Sequence, residues 1–383
     1  MHLSEITPSI FAGLGLANSR DILGLGQSPH GRECLFLIDG LGEQALAKYA
    51  EYAPTLSSLV SRGPVSTAFP STTVTSLTTL MTGVLPGAHG MLGYTIRVPR
   101  SNGRILNSLK WDERVDPYTW QPVPTYFERA KGEGIQVSHV AAKRYEGSGF
   151  TSAAFRGAHY RGANILEEMA EQTAISLKKS PSFTYVYVNE VDVAGHSDGV
   201  GSDKWLGALS YVDRVASMLV ERLPRGTRIW ITADHGMVNA EEKIVLGREN
   251  SLLEGISLVA GEPRARHLYL DDDHLSGQGP NEAALRYREY FGNRIDVYTR
   301  KEAIEGELFG KEVTEASHDR MGDLIAVPHD AIVLIDPLRV DLESSMVGHH
   351  GAMTDAERFV PLRTVKIIKA IRGLNRSFWG FQT

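Results

Sequence analysis

RIWITADHGM, residues 228–237, decides the fold. Five residues rich in β-branched and aromatic side chains run without polar alternation, and the chain then breaks into Asp234-His235-Gly236. A strand that is apolar on both faces must be covered on both faces, as in a parallel sheet between helices. The same pattern recurs in LFLI (35–38), followed by Asp39-Gly40, and in FTYVYV (183–188), followed by Asn189-Glu190, Asp192 and His196. VSTAF (65–69) and VSHVAA (137–142) read as two further strands. Between them lie helix-length amphipathic segments. In 202–223, Trp205, Leu209, Val212, Val215 and Leu219 recur at intervals of three and four, with Ser202 or Asp203 as cap and Pro224 as stop. The expected class is α/β, a mixed, mostly parallel sheet between helix layers.

Residues 241–345 change character, with Gly and Pro breaks and an acidic patch at Asp271–Asp273. A helix near 281–291 and strands near 266–270, 323–327 and 331–335 make this segment a cap inserted into one catalytic domain that spans 1–383.

Composition bounds the function. Across 383 residues, 42% are hydrophobic and 22% charged, which supplies a large core and excludes a disordered or fibrous chain. Forty Lys+Arg against 46 Asp+Glu give a net charge of −6, so the surface has no general attraction for a nucleic-acid duplex or an anionic membrane. An anionic substrate would therefore need a local positive feature, such as a metal ion or a helix N-terminus. Cys34 is the single cysteine, so no internal disulfide forms. The first twenty residues lack a basic stretch followed by an apolar run, and no stretch reaches the roughly 18 apolar residues that span a bilayer. These features lead to the expectation of a cytoplasmic protein.

Ligands of open α/β sheets bind beyond the carboxyl ends of the strands. Three strands deliver Asp39, the Asp192/His196 pair and Asp234/His235 there, and His349-His350-Gly351 adds a fourth group. Each has an ordinary alternative, as a turn, a cap or an exposed pair, but those alternatives leave unexplained why all four fall at compatible ends of the sheet. Clustered carboxylates repel one another unless a divalent cation sits among them. Mixed Asp/His donors suit zinc, with manganese as a second candidate. Six such donors fit two ions, which at about 3.5–4 Å apart can hold the entering and leaving oxygens of an in-line phosphoryl transfer. Between 68 and 83, AFPSTTVTSLTTLMTG crowds hydroxyl residues ahead of a helix that the spacing of Val74, Leu77, Leu80 and Met81 starts near Thr73. A hydroxyl there meets the positive end of the helix dipole, although Ser and Thr before a helix often serve only as caps.

In this order, Asp39, FPSTT, GVLPGAHG, DVAGH, ADHGM and GHHG resemble the alkaline phosphatase superfamily, and most of all its nucleotide pyrophosphatase/phosphodiesterase branch. The resemblance implies an alkaline-phosphatase-like sheet and a hydrolase for diester or pyrophosphate bonds of small, nucleotide-like phosphate esters. It implies one metal held by Asp39, Asp234, His235 and the nucleophile Thr73. A second metal would be held by Asp192, His196 and His350, with His350 preferred to His349 because it directly precedes glycine. It further implies a phospho-threonine intermediate. Tyr94 stands where the family often has a phosphate-contacting Asn. Arg97, Arg144 and Arg156 are candidates for a further anion site. A phosphomonoesterase or phosphonate hydrolase of the same superfamily would use the same donors, and a catalytically silent metal-binding protein is the reading from another class. A sulfatase would need a modified Cys or Ser nucleophile, and Cys34 precedes Asp39 instead. The Gly-rich 13–26 stretch reads as a loop, and Arg363–Arg376 as a solvated helix or strand edge.

Overall fold

The buried strands assemble into one seven-stranded sheet with the spatial order Val60–Ser61, Leu362–Lys366, Arg228–Thr232, Arg32–Ile38, Ser182–Val188, Gln136–Ala141, His159–Gly162. The computed structural model describes residues 1–275 and 279–368. The last five strands in that order run parallel, and the first two close one edge antiparallel. Leu35, Phe36, Leu37 and Ile38 are fully buried, as a strand covered on both faces requires. Register positions the site. Ile38 pairs with Val188 and Leu37 with Thr232, so Asp39, Asn189 and Asp234 leave the same edge of the sheet nearly level. A slip of one residue would turn each strand's apolar side chains to the wrong face.

The helix expected over 202–223 is Asp203–Arg222, capped by the Ser202 side chain on the Trp205 amide, and it buries Trp205, Leu209, Val212, Val215 and Leu219. The expected strand 65–69 is corrected. Only Val65–Ser66 is strand, and it pairs with Phe359–Val360 outside the main sheet. Beyond it the Thr67 and Ser71 amides donate to the carbonyls of Arg358 and Gly351, so this backbone is tied to the C-terminal loop and has no strand neighbour.

Within 241–345, a four-stranded antiparallel sheet runs in the order Ile256–Glu262, Ala265–Leu270, Leu324–Pro328, Ile295–Thr299. Period-two alternation explains the unbroken apolar run at 324–327. Leu324 and Ala326 pack with Leu268, Tyr287 and Phe291 of the Gly279–Phe291 helix, whereas Ile325 and Val327 join the main core. The strand near 331–335 is Ile332–Ile335, which pairs with Glu242–Val245. The Gly-rich 13–26 stretch follows the Ile6–Gly13 helix and binds Arg228 through the Leu25 and Gly26 carbonyls, at the amino end of that strand and away from the carboxyl edge. Of the basic 363–376 stretch, Arg363–Lys366 lies in the strand Leu362–Lys366, paired on both sides, and Arg363 is buried on Glu43, so this part is not the solvated edge expected; residues from 369 on lie outside the described residues. Among the described residues no helix is long and apolar enough to cross a membrane.

Candidate metal centre

Asp39 follows its strand directly, and Tyr187, near the end of the neighbouring strand, donates its hydroxyl to Asp39 Oδ2. Gly40 turns with φ +77°, and a Cβ there would lie 2.9 Å from Asp192 Cα. Only glycine lets the strand end approach the Glu190–Asp198 helix this closely. That helix carries Asp192 and His196 one turn apart on one face, with His196 Nε2 3.4 Å from Asp192 Oδ1. His196 Nδ1 pairs with the Gly348 carbonyl at 2.8 Å.

Asp234 is fully buried, and its Oδ1 accepts the amides of Gly40 (3.2 Å) and His235 (3.1 Å). His235 Nε2 lies 3.3 Å from Asp39 Oδ1, 3.7 Å from Asp234 Oδ2 and 3.1 Å from Thr73 Oγ1. The His350 ring stacks on His235 with centroids 3.6 Å apart, and its Nε2 is 3.8 Å from Asp192 Oδ1. His349 is buried on the short strand opposite Val238 with its ring edge toward His196, so His350 is the one that enters the cluster. Thr73 opens the Thr73–Thr82 helix, as its spacing predicts.

Donor atoms of Asp39, Asp234 and His235 lie within 4.8 Å of one another, and so do those of Asp192, His235 and His350. His235 belongs to both groups, and His196 approaches the second through the same Asp192 oxygen. Among the described residues, Asp39 Oδ1, Asp192 Oδ1 and Asp234 Oδ2 are buried with no hydrogen-bond partner. Buried anionic oxygens without donors are costly, and divalent cations are the partners that this donor set fits. Titration directions agree. Burial first, then the carboxylates of Asp234 and Asp192, push Asp39 well above the usual carboxylate range, and burial raises Asp192 and Asp234 as well. Burial, then the rings of His235 and His196, hold His350 well below the ordinary imidazole value.

The remaining expected residues are scattered. Tyr94 receives Asn107 Nδ2 on its hydroxyl at 2.7 Å and donates its amide to Glu262. Arg156 is buried and committed to Glu128 and to the carbonyls of Gln121, Val123 and Ala153. Arg97 donates to the Asp319 carbonyl and lies over the Tyr269 ring. Arg144 lines a cavity of about 250 Å³ with Tyr145, Tyr187, Asn189 and Glu190. Sequence reasoning missed Tyr187, Glu262, Arg264, Glu357 and Ser71. The Ser71 carbonyl pairs with His350 Nδ1 at 2.9 Å, and its hydroxyl donates to the Ala352 carbonyl at 2.5 Å.

These shifts predict how zinc should act on stability. Without metal, the folded state holds carboxyl protons that the unfolded chain releases near 3.8, so these acids lose stability as pH rises above that value. The depressed imidazoles do the reverse and lose stability as pH falls through 6.5, the ordinary histidine value. Zinc binds the deprotonated form of both sets, so the rise in Tm that zinc produces should grow from pH 5 to pH 8. Thermal melts of chelated and zinc-loaded protein check this, and a zinc shift that does not vary with pH would contradict it.

A mostly parallel sheet that converges three carboxylates and three imidazoles beside a helix-terminal threonine defines an alkaline-phosphatase-like fold. The chain belongs to the type I phosphodiesterase / nucleotide pyrophosphatase family, whose profile matches residues 34–353. It is 27% identical over 304 residues to human ectonucleotide pyrophosphatase/phosphodiesterase family member 1, covering 72% of this chain and 32% of that protein. With the mouse member 1 it is 25% identical over 260 residues, covering 61% of this chain and 27% of that protein. The chain thus matches less than a third of the length of these relatives. Human ectonucleotide pyrophosphatase/phosphodiesterase 5 superimposes with a TM-score of 0.67 at 16% identity, covering 87% of each chain. An inactive variant of the murine protein 5, solved in complex with AMP, gives 0.65 at 14% identity, covering 86% of this chain and 87% of that one. The relatives named ectonucleotide enzymes lend no support to the expected cytoplasmic location.

Proposed function

We propose that this chain hydrolyses diester or pyrophosphate bonds of small nucleotide-like phosphate esters, with Thr73 as nucleophile. Asp39, Asp234 and His235 would hold one ion, and Asp192, His196 and His350 a second. The observation that carries the reading is the set of three buried, unpartnered carboxylate oxygens within reach of imidazoles, one of which lies 3.1 Å from Thr73 Oγ1. Two bound divalent ions, zinc first and manganese second, would supply Lewis acidity and neutralise charge in the transition state.

The rest is the work of the chain's own groups. Thr73 Oγ1 attacks phosphorus, the bond to the leaving oxygen breaks, and water later cleaves the phospho-threonine ester. The helix that begins at Thr73 directs its positive end toward a phosphoryl oxygen. The cavity beside Tyr187 offers the Arg144 cation and the Tyr145 ring to a leaving group that carries a phosphate or a base. The AMP complex of the murine relative supports a nucleotide-like substrate class.

The test compares bis-p-nitrophenyl phosphate with p-nitrophenyl phosphate on metal-loaded protein. The diester should lead in kcat/KM by about tenfold or more. A lead for the monoester would make the chain a phosphomonoesterase, and no turnover on any ester with both ions bound would leave it a silent metal-binding protein.

A further inference from the structure

Glu262 ends the Ile256–Glu262 strand of the inserted sheet, about 190 residues from the nucleophile helix in sequence. Its side chain nevertheless reaches that helix, and the residue is 4% exposed. Oε1 accepts the Tyr94 amide at 2.5 Å, and the Thr72 hydroxyl is within reach of the same carboxyl, while Oε2 makes no well-formed hydrogen bond. The fit is close, since a Cβ on Gly93 would lie 3.2 Å from Oε2.

Thr72 is the N-cap of the Thr73–Thr82 helix, with φ −136° and ψ 150°, yet its side chain accepts nothing from the first turn. A threonine there ordinarily turns its hydroxyl back onto that turn. Here the hydroxyl lies within reach of the Glu262 carboxyl instead.

Two residues on, Arg264 makes a buried bidentate pair with Glu357 at 2.7 Å for each contact. Glu357 Oε1 also accepts the Ala352 amide at 3.1 Å, and the Ala352 carbonyl accepts the Ser71 hydroxyl. The tip of this hairpin therefore grips both the segment before Thr73 and the loop that carries His350.

We propose that Glu262 is a positioning residue for Thr73, one that fixes the first turn of the nucleophile helix by holding the Thr72 hydroxyl and the Tyr94 amide together. Burial pushes its carboxyl up to about 7, and the Tyr94 amide first, then the Thr72 hydroxyl and the Arg266 cation, limit the rise. The inference rests on the reading of Thr73 as nucleophile, and its test is arranged to separate the two.

The variants are Glu262→Gln, Thr72→Val and the pair together, on the full metal-loaded chain. Gln keeps an acceptor for the Tyr94 amide but places an amide nitrogen where the second oxygen stood. Each single change should lower kcat for the diester by about tenfold with KM nearly constant, and with both metal equivalents and Tm retained. The double variant should lose no more than the worse single, because both changes break one contact. Hydrogen exchange gives a readout that needs no turnover. Segment 70–76 should exchange about tenfold faster in Glu262→Gln, while 91–95, whose Tyr94 amide keeps its acceptor, and 205–219 stay as in wild type. If Glu262→Gln fails to fold, Thr72→Val carries both readouts. Additive losses, or unchanged exchange at 70–76, would overturn the proposal. A wild-type protein that cleaves no ester would sink only the functional reading, because the exchange result still decides this one.

Discussion

Thr73→Ala should remove turnover of phosphate diesters, by at least about 10⁴-fold, while leaving the fold and both metal equivalents in place. The hydroxyl is held against the cluster at the start of its helix, 3.1 Å from His235 Nε2. Its loss should not disturb the helix, since alanine is the better helix former and Thr73 occupies the first helical position. The stability change should stay within about 0.5 kcal/mol. Asp39, Asp234 and His235 keep their donor atoms within 4.8 Å of one another, so an ion held there would retain these three donors. Thr73→Ser restores the oxygen and should recover a measurable part of the rate. The checks are steady-state rates, elemental analysis and a melt on one preparation. A Thr73→Ala protein that runs at wild-type speed would take Thr73 out of the chemistry.

The parts that sequence could reveal and the parts it could not differ for a physical reason. Strands buried on both faces must be apolar throughout, so 228–232 and 183–188 were readable to within a residue, and a cluster donor follows shortly after each, Asp234 after the first and Asp192 after the second. The Asp192/His196 pair was readable because four residues is one helical turn. The 65–69 run misled because an apolar, β-branched stretch can also spend its backbone hydrogen bonds on a distant loop, here Arg358 and Gly351. Tyr187 carried no signal, since strand aromatics are ordinary core, and only register shows its hydroxyl on Asp39. Glu262, Arg264 and Glu357 were hidden more deeply. Glu262 and Arg264 lie in the segment of weakest periodicity, and their partners Tyr94 and Glu357 lie far away in the chain. A buried acid with a remote partner looks like a solvated one until the contact is seen.

Asp234→Asn separates a metal ligand from a structural acid most sharply, because the two roles predict opposite signs. Asp234 Oδ1 accepts the amides of Gly40 and His235, and an asparagine carbonyl in its place can accept both. Oδ2 has no hydrogen-bond donor, and it faces the Asp39 carboxyl, whose proton affinity the Asp234 charge raises. Without metal, the variant exchanges a buried repulsion for an amide able to donate to Asp39, so the chelated protein should melt at the same temperature as wild type or above it. With metal the order reverses. One of the two carboxylate donors is lost from the Asp39, Asp234 and His235 group, so elemental analysis should find about one equivalent fewer than in wild type. The stabilisation by zinc should shrink accordingly, and diester turnover should fall by at least about 10³-fold. An ordinary buried acid, replaced by its amide, would lower the melting temperature of the chelated protein and leave the metal content alone. That outcome would remove Asp234 from the metal site, and with it the reason why a buried carboxylate oxygen at this strand end stands without a donor.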